Sequence, residues 1–331
     1  MGWEGTLRSI LEIAEVIEEG AAKQQHLQQE KLRFQADVEE KKASLREVQA
    51  FLKSVDQTTS LHKECHPKTD WNAIYNKEEP SPPVRQAAWE QAAIEQIKTY
   101  RPTTFEKMTG AASRKKIELE MGLEQARMQD ESAYQNQYQR YLRAFESWDV
   151  ARQTAWSMLS GDLTAYQQTI VDRQLKRILL SAEIEIDIRS FDAHCVEIFM
   201  KVAGFSIVPT QIKSLTSTSK VAFKKMPPDT GREIYALYVC GGALRVGREF
   251  FAALPFEKSL VTVWTRALNT QNGHEEDVAI LSILFERHMM GSLFFDSLSP
   301  VDAMQNFPHK MDFHLSHGFR PIVPLSFEGA S

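Results

Sequence analysis

His62, Cys65 and His66 stand three and four residues apart just before Pro67, a spacing that directs three metal-ligating side chains to one side of a helical turn. A tetrahedral structural zinc site needs a fourth ligand, and no second CxxC or HxxxH half accompanies them. The cluster is therefore read as a cap at a helix end, and no metal is assigned. His309, His314 and His317 form a second group around Asp312. Histidine is the commonest metal ligand, but no regular element is expected to hold these three together, so they are read as a packed or exposed tail.

Two further constellations concern phosphates. Glu197 and Lys201 lie four apart on an expected strand and so share one face, with Asp187 on the preceding strand as partner. A divalent-metal nuclease of the restriction-endonuclease type uses such acids and a lysine to hold Mg or Mn and orient water. The Glu-x-Lys spacing of those enzymes is absent, and alternating charges on a solvated strand explain the same residues. The enzyme is thus the alternative reading; the favoured one has no catalytic residues and no cofactor. Lys213, Lys220, Lys224 and Lys225 crowd an extended segment, and Arg245 and Arg248 follow on a helix. These six are the best candidates for a nucleic-acid-binding surface, weak and independent of base sequence because no base-reading feature accompanies them. Solvated sheet-edge lysines, which also discourage edge pairing, are the preferred reading of the four. No P-loop, GxGxxG, GxSxG or HExxH occurs, which disfavours nucleotide hydrolysis and the common hydrolase templates.

The elements that would position these residues fall into two halves. From Trp3 to about Val55 the chain lacks proline and is rich in Glu, Lys, Gln, Leu and Ala, which predicts one very long helix. Phe34, Val38, Leu45, Val48 and Leu52 follow a three-four spacing, broken by Lys41, that reads as a coiled-coil seam. A second long helix is expected from about Ala112 to Leu159, with Tyr134, Tyr138, Tyr141, Phe145, Trp148, Ala151 and Ala155 in a row. The row is expected to face the first helix in an antiparallel hairpin, in preference to a stacking platform for single-stranded nucleic acid. A helix of about 50 residues extends roughly 75 Å, so the pair should project as an arm. Pro67, Pro80, Pro82 and Pro83 break the chain between them; a shorter helix is expected from about Val84 to Tyr100, and another after Asp162 to about Leu180.

From Glu183 the period becomes two. Ile184, Ile186 and Ile188, then Val196, Ile198, Met200 and Val202, alternate with mostly polar neighbours and predict strands with one buried face. Ser206 to Lys225 reads as extended, Gly231 to Leu254 as a helix whose small residues let it lie close on a sheet, and Leu260–Leu268 and Val278–Phe285 as strands joined by an Asn272-Gly273 hairpin turn. The second of these is apolar on both faces and should be central. Ser299-Pro300 starts a short helix. The expected class is α+β: a long antiparallel coiled-coil arm over 1–180, then a mixed β-sheet module over 181–331 with one long covering helix.

The 331 residues are 43% hydrophobic and 25% charged, enough for a substantial core and incompatible with intrinsic disorder or a disulfide-stapled mini-fold. The net charge of −5 is spread over both halves, so neither is a polybasic arm or an acidic tail. Three cysteines without a CxxC pair suit reduced thiols and a cytoplasmic setting. No apolar stretch approaches the roughly 18 to 20 residues of a bilayer span, so no membrane partner is expected. Met1-Gly2 with Thr6 fits the myristoylation pattern only loosely.

The stretches HKECHPKTDWNAI (62–74), SGDLTAYQQTI (160–170), IKSLTSTSKVAFKKM (212–226), LYVCGGALRVGREFFAALP (237–255), LNTQNGHEEDVAILSI (268–283), SPVDAMQNFPHKMDF (299–313) and HGFRPI (317–322) resemble a family of uncharacterised bacterial proteins. Gly241-Gly242 departs from the Ser or Cys expected in that family. The resemblance implies a helical N-terminal half before a small sheet module, in proteins associated with phage defence or stress. It implies an architecture and no activity. The function expected on these grounds is a non-catalytic interaction or scaffold subunit of a cytosolic bacterial complex, meeting a protein partner or its own copies through the helical arm.

Overall fold

A computed structural model describes residues 3–268 and 273–327, with side chains from Lys31 onward. Met1-Gly2 and the 269–272 part of the expected hairpin turn lie outside these residues. The first helix, α1 (Trp3–Thr59), runs four residues beyond the expected end, and the Thr58 and Thr59 hydroxyls close it on the Ser54 and Val55 carbonyls. A single 3-10 turn, Leu61–Lys63, leads to Pro67. There follow α2 (Trp71–Tyr75), α3 (Ala88–Thr99), α4 (Thr104–Thr109), α5 (Ala111–Leu159) and α6 (Leu163–Asp172). Helix α4 escapes periodicity because it is so short. Its signal is the capping box, in which Thr103 accepts from the Glu106 N–H and Glu106 accepts from the Thr103 N–H. Gly110, at φ +74°, ends α4 and turns the chain into α5, a left-handed position that glycine adopts at little cost. The expected helix to Leu180 stops at Asp172; Gln174 and Glu183 take positive φ, and 3-10 turns fill the interval.

The sheet module is α+β and mixed. Strands β1 (Ile184–Phe191) and β2 (Cys195–Val202) pair antiparallel, and β3 (Gln211–Leu215) and β4 (Val221–Lys225) form a separate ribbon. Helix α7 (Pro228–Ala253) crosses from β2's side to β5 (Lys258–Leu268), which pairs parallel to β2. Strand β6 (Glu275–Glu286), α8 (Arg287–Ser292), α9 (Pro300–Ala303), β7 (His309–His314) and β8 (Gly318–Arg320) complete the chain. The large sheet runs β1-β2-β5-β6-β7-β8, antiparallel except at β2–β5. Period-two alternation sends Ile184, Ile186, Val196, Ile198, Met200 and Val202 into the core, while β6 is buried along most of its length between two neighbours. Expectation failed at two places here. The stretch read as one extended segment is a hairpin turning at Thr216–Lys220, with Ser219 at φ +61°, and the tail contains β7 and β8.

Helix α7 lies unusually close to its neighbours. A Cβ at Gly242 would come within 2.9 Å of the Ile184 and Met200 side chains, and one at Gly247 within 2.7 Å of the Phe285 ring. Glycine is required there by space, since interiors are packed without room for an added carbon.

The chain divides into two compact units, one made of 1–67 and 170–331 and the other of 68–169. This partition differs from two sequence halves meeting at 180. The reason lies in α1: Ser44 and Val48 are buried and Phe51 and Val55 half-buried, and this face packs on α7 and the β3–β4 ribbon. The end of α1 thus belongs to the sheet unit. In the other unit α2, α3 and α4 pack along α5.

Candidate functional site

Arg245 lies one helical turn before Arg248 and Glu249 on α7, and all three meet the connector 61–67. Glu249 is almost fully buried; its Oε1 accepts from the His66 backbone N–H at 3.1 Å, and its Oε2 lies 2.9 Å from His66 Nδ1. Arg245 Nε stands 2.8 Å from Glu249 Oε1, an ion pair without the alignment of a good hydrogen bond, and Glu64 approaches Arg245 Nη1 at 3.7 Å. Arg248 Nη1 donates to the His62 carbonyl and more loosely to those of Lys63 and Glu64, while its guanidinium covers the Phe295 ring at 3.7 Å. The last carbonyls of the 3-10 turn, which a helix end leaves unpaired, thereby gain a cationic donor.

His62 is 2% exposed, and among the described residues neither ring nitrogen has a hydrogen-bond partner. It lies beside Gly241, where an added Cβ would sit 3.6 Å from its Nδ1. Burial, followed by the Lys63 and Arg248 charges, holds its imidazole below the usual histidine range, so the ring is neutral. Burial, and then Glu249, pushes the Cys65 thiol up, away from the thiolate a nucleophile requires. His62 packs on α7 while His66 turns to Glu249. Among the described residues no three His, Cys, Asp or Glu side chains are grouped to hold a metal ion. The constellation is a clamp that ties the connector to α7.

Of the six candidate nucleic-acid-binding residues, the four lysines share the β3–β4 hairpin, whereas Arg245 and Arg248 lie on α7. Lys213 donates to Glu47 at 2.8 Å and Lys220 pairs with Glu40 at 2.9 Å, both on α1. Arg245 and Arg248 are spent on the clamp. Lys224 and Lys225 remain, exposed and without an ion pair among the described residues. A pattern of cations in sequence says nothing of the acids that the fold lays beside them.

Asp187, Glu197 and Lys201 share one face of the β1–β2 pair, but each serves a different neighbour. Lys176 donates to Asp187 at 2.6 Å and holds that carboxyl below the ordinary range; Ser190 Oγ donates to Glu197 at 3.2 Å; Lys201 donates to Asp277 at 2.7 Å. Four strand residues separate Glu197 from Lys201 by about 13 Å. Of the other histidines, His309 and His314 fall on opposite faces of β7, and the His314 and His317 rings stack at 5.5 Å.

The aromatic row of α5 is real, with successive rings from Tyr134 to Trp148 5.6 to 6.0 Å apart. Within its unit the segment 75–90 runs along it. Tyr75 meets Trp156, Trp148 Nε1 donates to the Lys77 carbonyl at 2.8 Å, Arg85 lies over Tyr134 and pairs with Glu131, and Asp130 accepts from the Trp89 and Glu90 N–H groups. Pro80 and Pro83, within this segment, are half-buried. The signal was present as EEPSPP beside a tyrosine-rich helix. The clamp's signal was RVGRE, charge inside an otherwise apolar helix, for which a buried partner is the physical expectation.

No family model matches the chain, and no curated protein or solved structure matches it significantly.

Proposed function

We propose that the chain is a non-catalytic interaction or scaffold subunit whose long helices meet other chains, either partners or further copies. One observation carries this reading: large apolar side chains recur on α5 with heptad spacing and face solvent. Met121, Met128 and Leu142 lie seven and then fourteen residues apart, with Met128 70% exposed. Leu45 and Leu52 on α1 are likewise one heptad apart and exposed, with Phe34 on the same seam. Apolar area left in water forgoes about 25 cal/mol per Å² that a partner helix would supply, so rows of this kind favour coiled-coil contacts. Asp187, Glu197 and Lys201, each bonded to a different neighbour, favour a solvated sheet face over metal-dependent hydrolysis. Among the described residues no helix is long and apolar enough to cross a membrane. A bacterial cytosolic setting, in phage defence or stress, rests on the family resemblance.

Light scattering on the purified full chain tests the proposal. A dimer or larger assembly, or a co-purifying protein, is expected, and Met128→Glu with Leu142→Glu should reduce the mass to that of one chain. A strict monomer without a co-purifying partner overturns it.

A further inference from the structure

Within the unit 68–169, α3 and α5 flank an open groove of about 630 Å³, lined by Trp89, Ala92 and Ala93 on one side and by Ile117, Met121 and Gly122 on the other. Trp89, Ile117 and Met121 are exposed, so its rim is apolar and faces water. Gly122 keeps the α5 side low. Glycine inside a helix is less favourable than alanine, and at Gly242 and Gly247 of α7 the neighbouring side chains leave no room for anything else. At Gly122 an added Cβ would meet nothing within 4 Å. The chain's own packing does not require this glycine, whereas a side chain entering from another molecule would.

Between the two helices, α4 carries the opposite shape. Phe105 and Met108 are three apart, hence on one face, and are 74% and 89% exposed. The Thr103–Glu106 capping box and the left-handed Gly110 fix the short helix that bears them. A groove with an apolar rim thus lies beside two apolar side chains that have nothing to cover them among the described residues.

Charge along this stretch falls in two blocks. Residues 101–116 hold five cations and one acid, and residues 117–131 hold one cation and five acids. Two copies related by a two-fold axis crossing α5 near Ile117 run antiparallel there, and each basic block then meets the acidic block of the other copy. A parallel arrangement sets like charge on like.

We propose that the occupant of this groove is a second copy of the chain, packed antiparallel about such an axis, with Phe105 and Met108 of each copy entering the groove of the other. Apolar anchors seated in a pocket are the usual energetic centre of an interface. A patch that is its own complement closes with two copies and leaves no open end. The assignment rests on the reading of the long helices as contact surfaces, and it names the partner and the place.

Sedimentation velocity of the full chain over a range of concentrations tests it. Arg114, Lys116, Glu118 and Glu120 are exposed, so reversing them spares the fold. Arg114→Glu with Lys116→Glu, and separately Glu118→Lys with Glu120→Lys, should each raise the dimer dissociation constant at least about tenfold. An equimolar mixture of the two variants should pair about as well as the parent, because opposite charges again face each other. Phe105→Ser with Met108→Ser should weaken the dimer by at least a similar factor, with helicity unchanged. A parent that is strictly monomeric and co-purifies with nothing overturns both this assignment and the reading beneath it. A parent that associates only with a different protein, a dimer indifferent to these changes, or charge-reversed variants that fail to pair on mixing overturns the assignment alone.

Discussion

Helix α7 holds the connector 61–67 with buried charge, whereas α5 holds the segment 75–90 chiefly with half-exposed rings. In the first, Glu249 and Arg245 are 1% and 8% exposed in their side chains, and every partner is specific. In the second, ring, cation–ring and indole contacts run the length of the segment, with charge at one end only, where Asp130 accepts from the Trp89 and Glu90 N–H groups and Arg85 pairs with Glu131. The difference lies in how each fails. A buried ion pair costs much desolvation, so removing one partner strands the other charge where water cannot reach it. Half-exposed rings return to water gradually, each losing only the area it had covered.

The largest test of that contrast is at Glu249. Glu249→Ala should lower unfolding free energy by about 3 to 5 kcal/mol, because Arg245 is left buried with only the distant, exposed Glu64 carboxylate near it. Arg245→Met combined with Glu249→Leu should be less harmful than Glu249→Ala alone, since no charge remains buried. Urea titration of the three proteins gives the answer; a double variant as unstable as the single would mean that packing, not charge, holds the connector.

A smaller effect is expected on α5. Full burial of an aromatic ring is associated with about 3 to 5 kcal/mol on truncation. Phe145 and Trp148 are half-buried, so Phe145→Ala with Trp148→Ala should cost about 2 to 3 kcal/mol together. Near-ultraviolet circular dichroism during thermal unfolding would detect it. An unchanged transition would place the rings against solvent or a ligand and restore the stacking-platform reading.

The smallest effect concerns His62. Its folded-state protonation is disfavoured relative to the ordinary value of 6.5, so the folded protein binds fewer protons than the unfolded chain. Stability from this group is complete above about pH 6.5 and is lost as pH falls below it, with a slope of at most about 1.4 kcal/mol per pH unit for one proton. Glu64, Cys65, His66, Arg245, Arg248, Glu249 and Asp296 surround the connector, so only the difference between parent and His62→Leu isolates the histidine. If the two proteins share one pH profile between pH 5 and 7, the buried ring is not what titrates.

Local periodicity and turn chemistry determined most elements by themselves. The long helices followed from composition without proline, the strands from alternation at 184–188 and 196–202, and the reach of α7 from its apolar run between Pro227-Pro228 and Pro255. These are near-neighbour effects, which is why they can be read from one chain. Tertiary structure alone decided which surfaces meet. The seam read over Phe34, Val38, Leu45, Val48 and Leu52 fits a helical partner and a sheet module equally well; the packing buried Val48 on the side that meets α7 and the ribbon and left Leu45 and Leu52 exposed. The tyrosine row fits any flat partner, and the segment 75–90 runs along it. Lys213 and Lys220 look free until Glu47 and Glu40, more than 160 residues away, are laid beside them. Hydrophobic burial is non-directional and ion pairing depends on distance through space, so neither leaves a periodic trace from which its partner can be deduced.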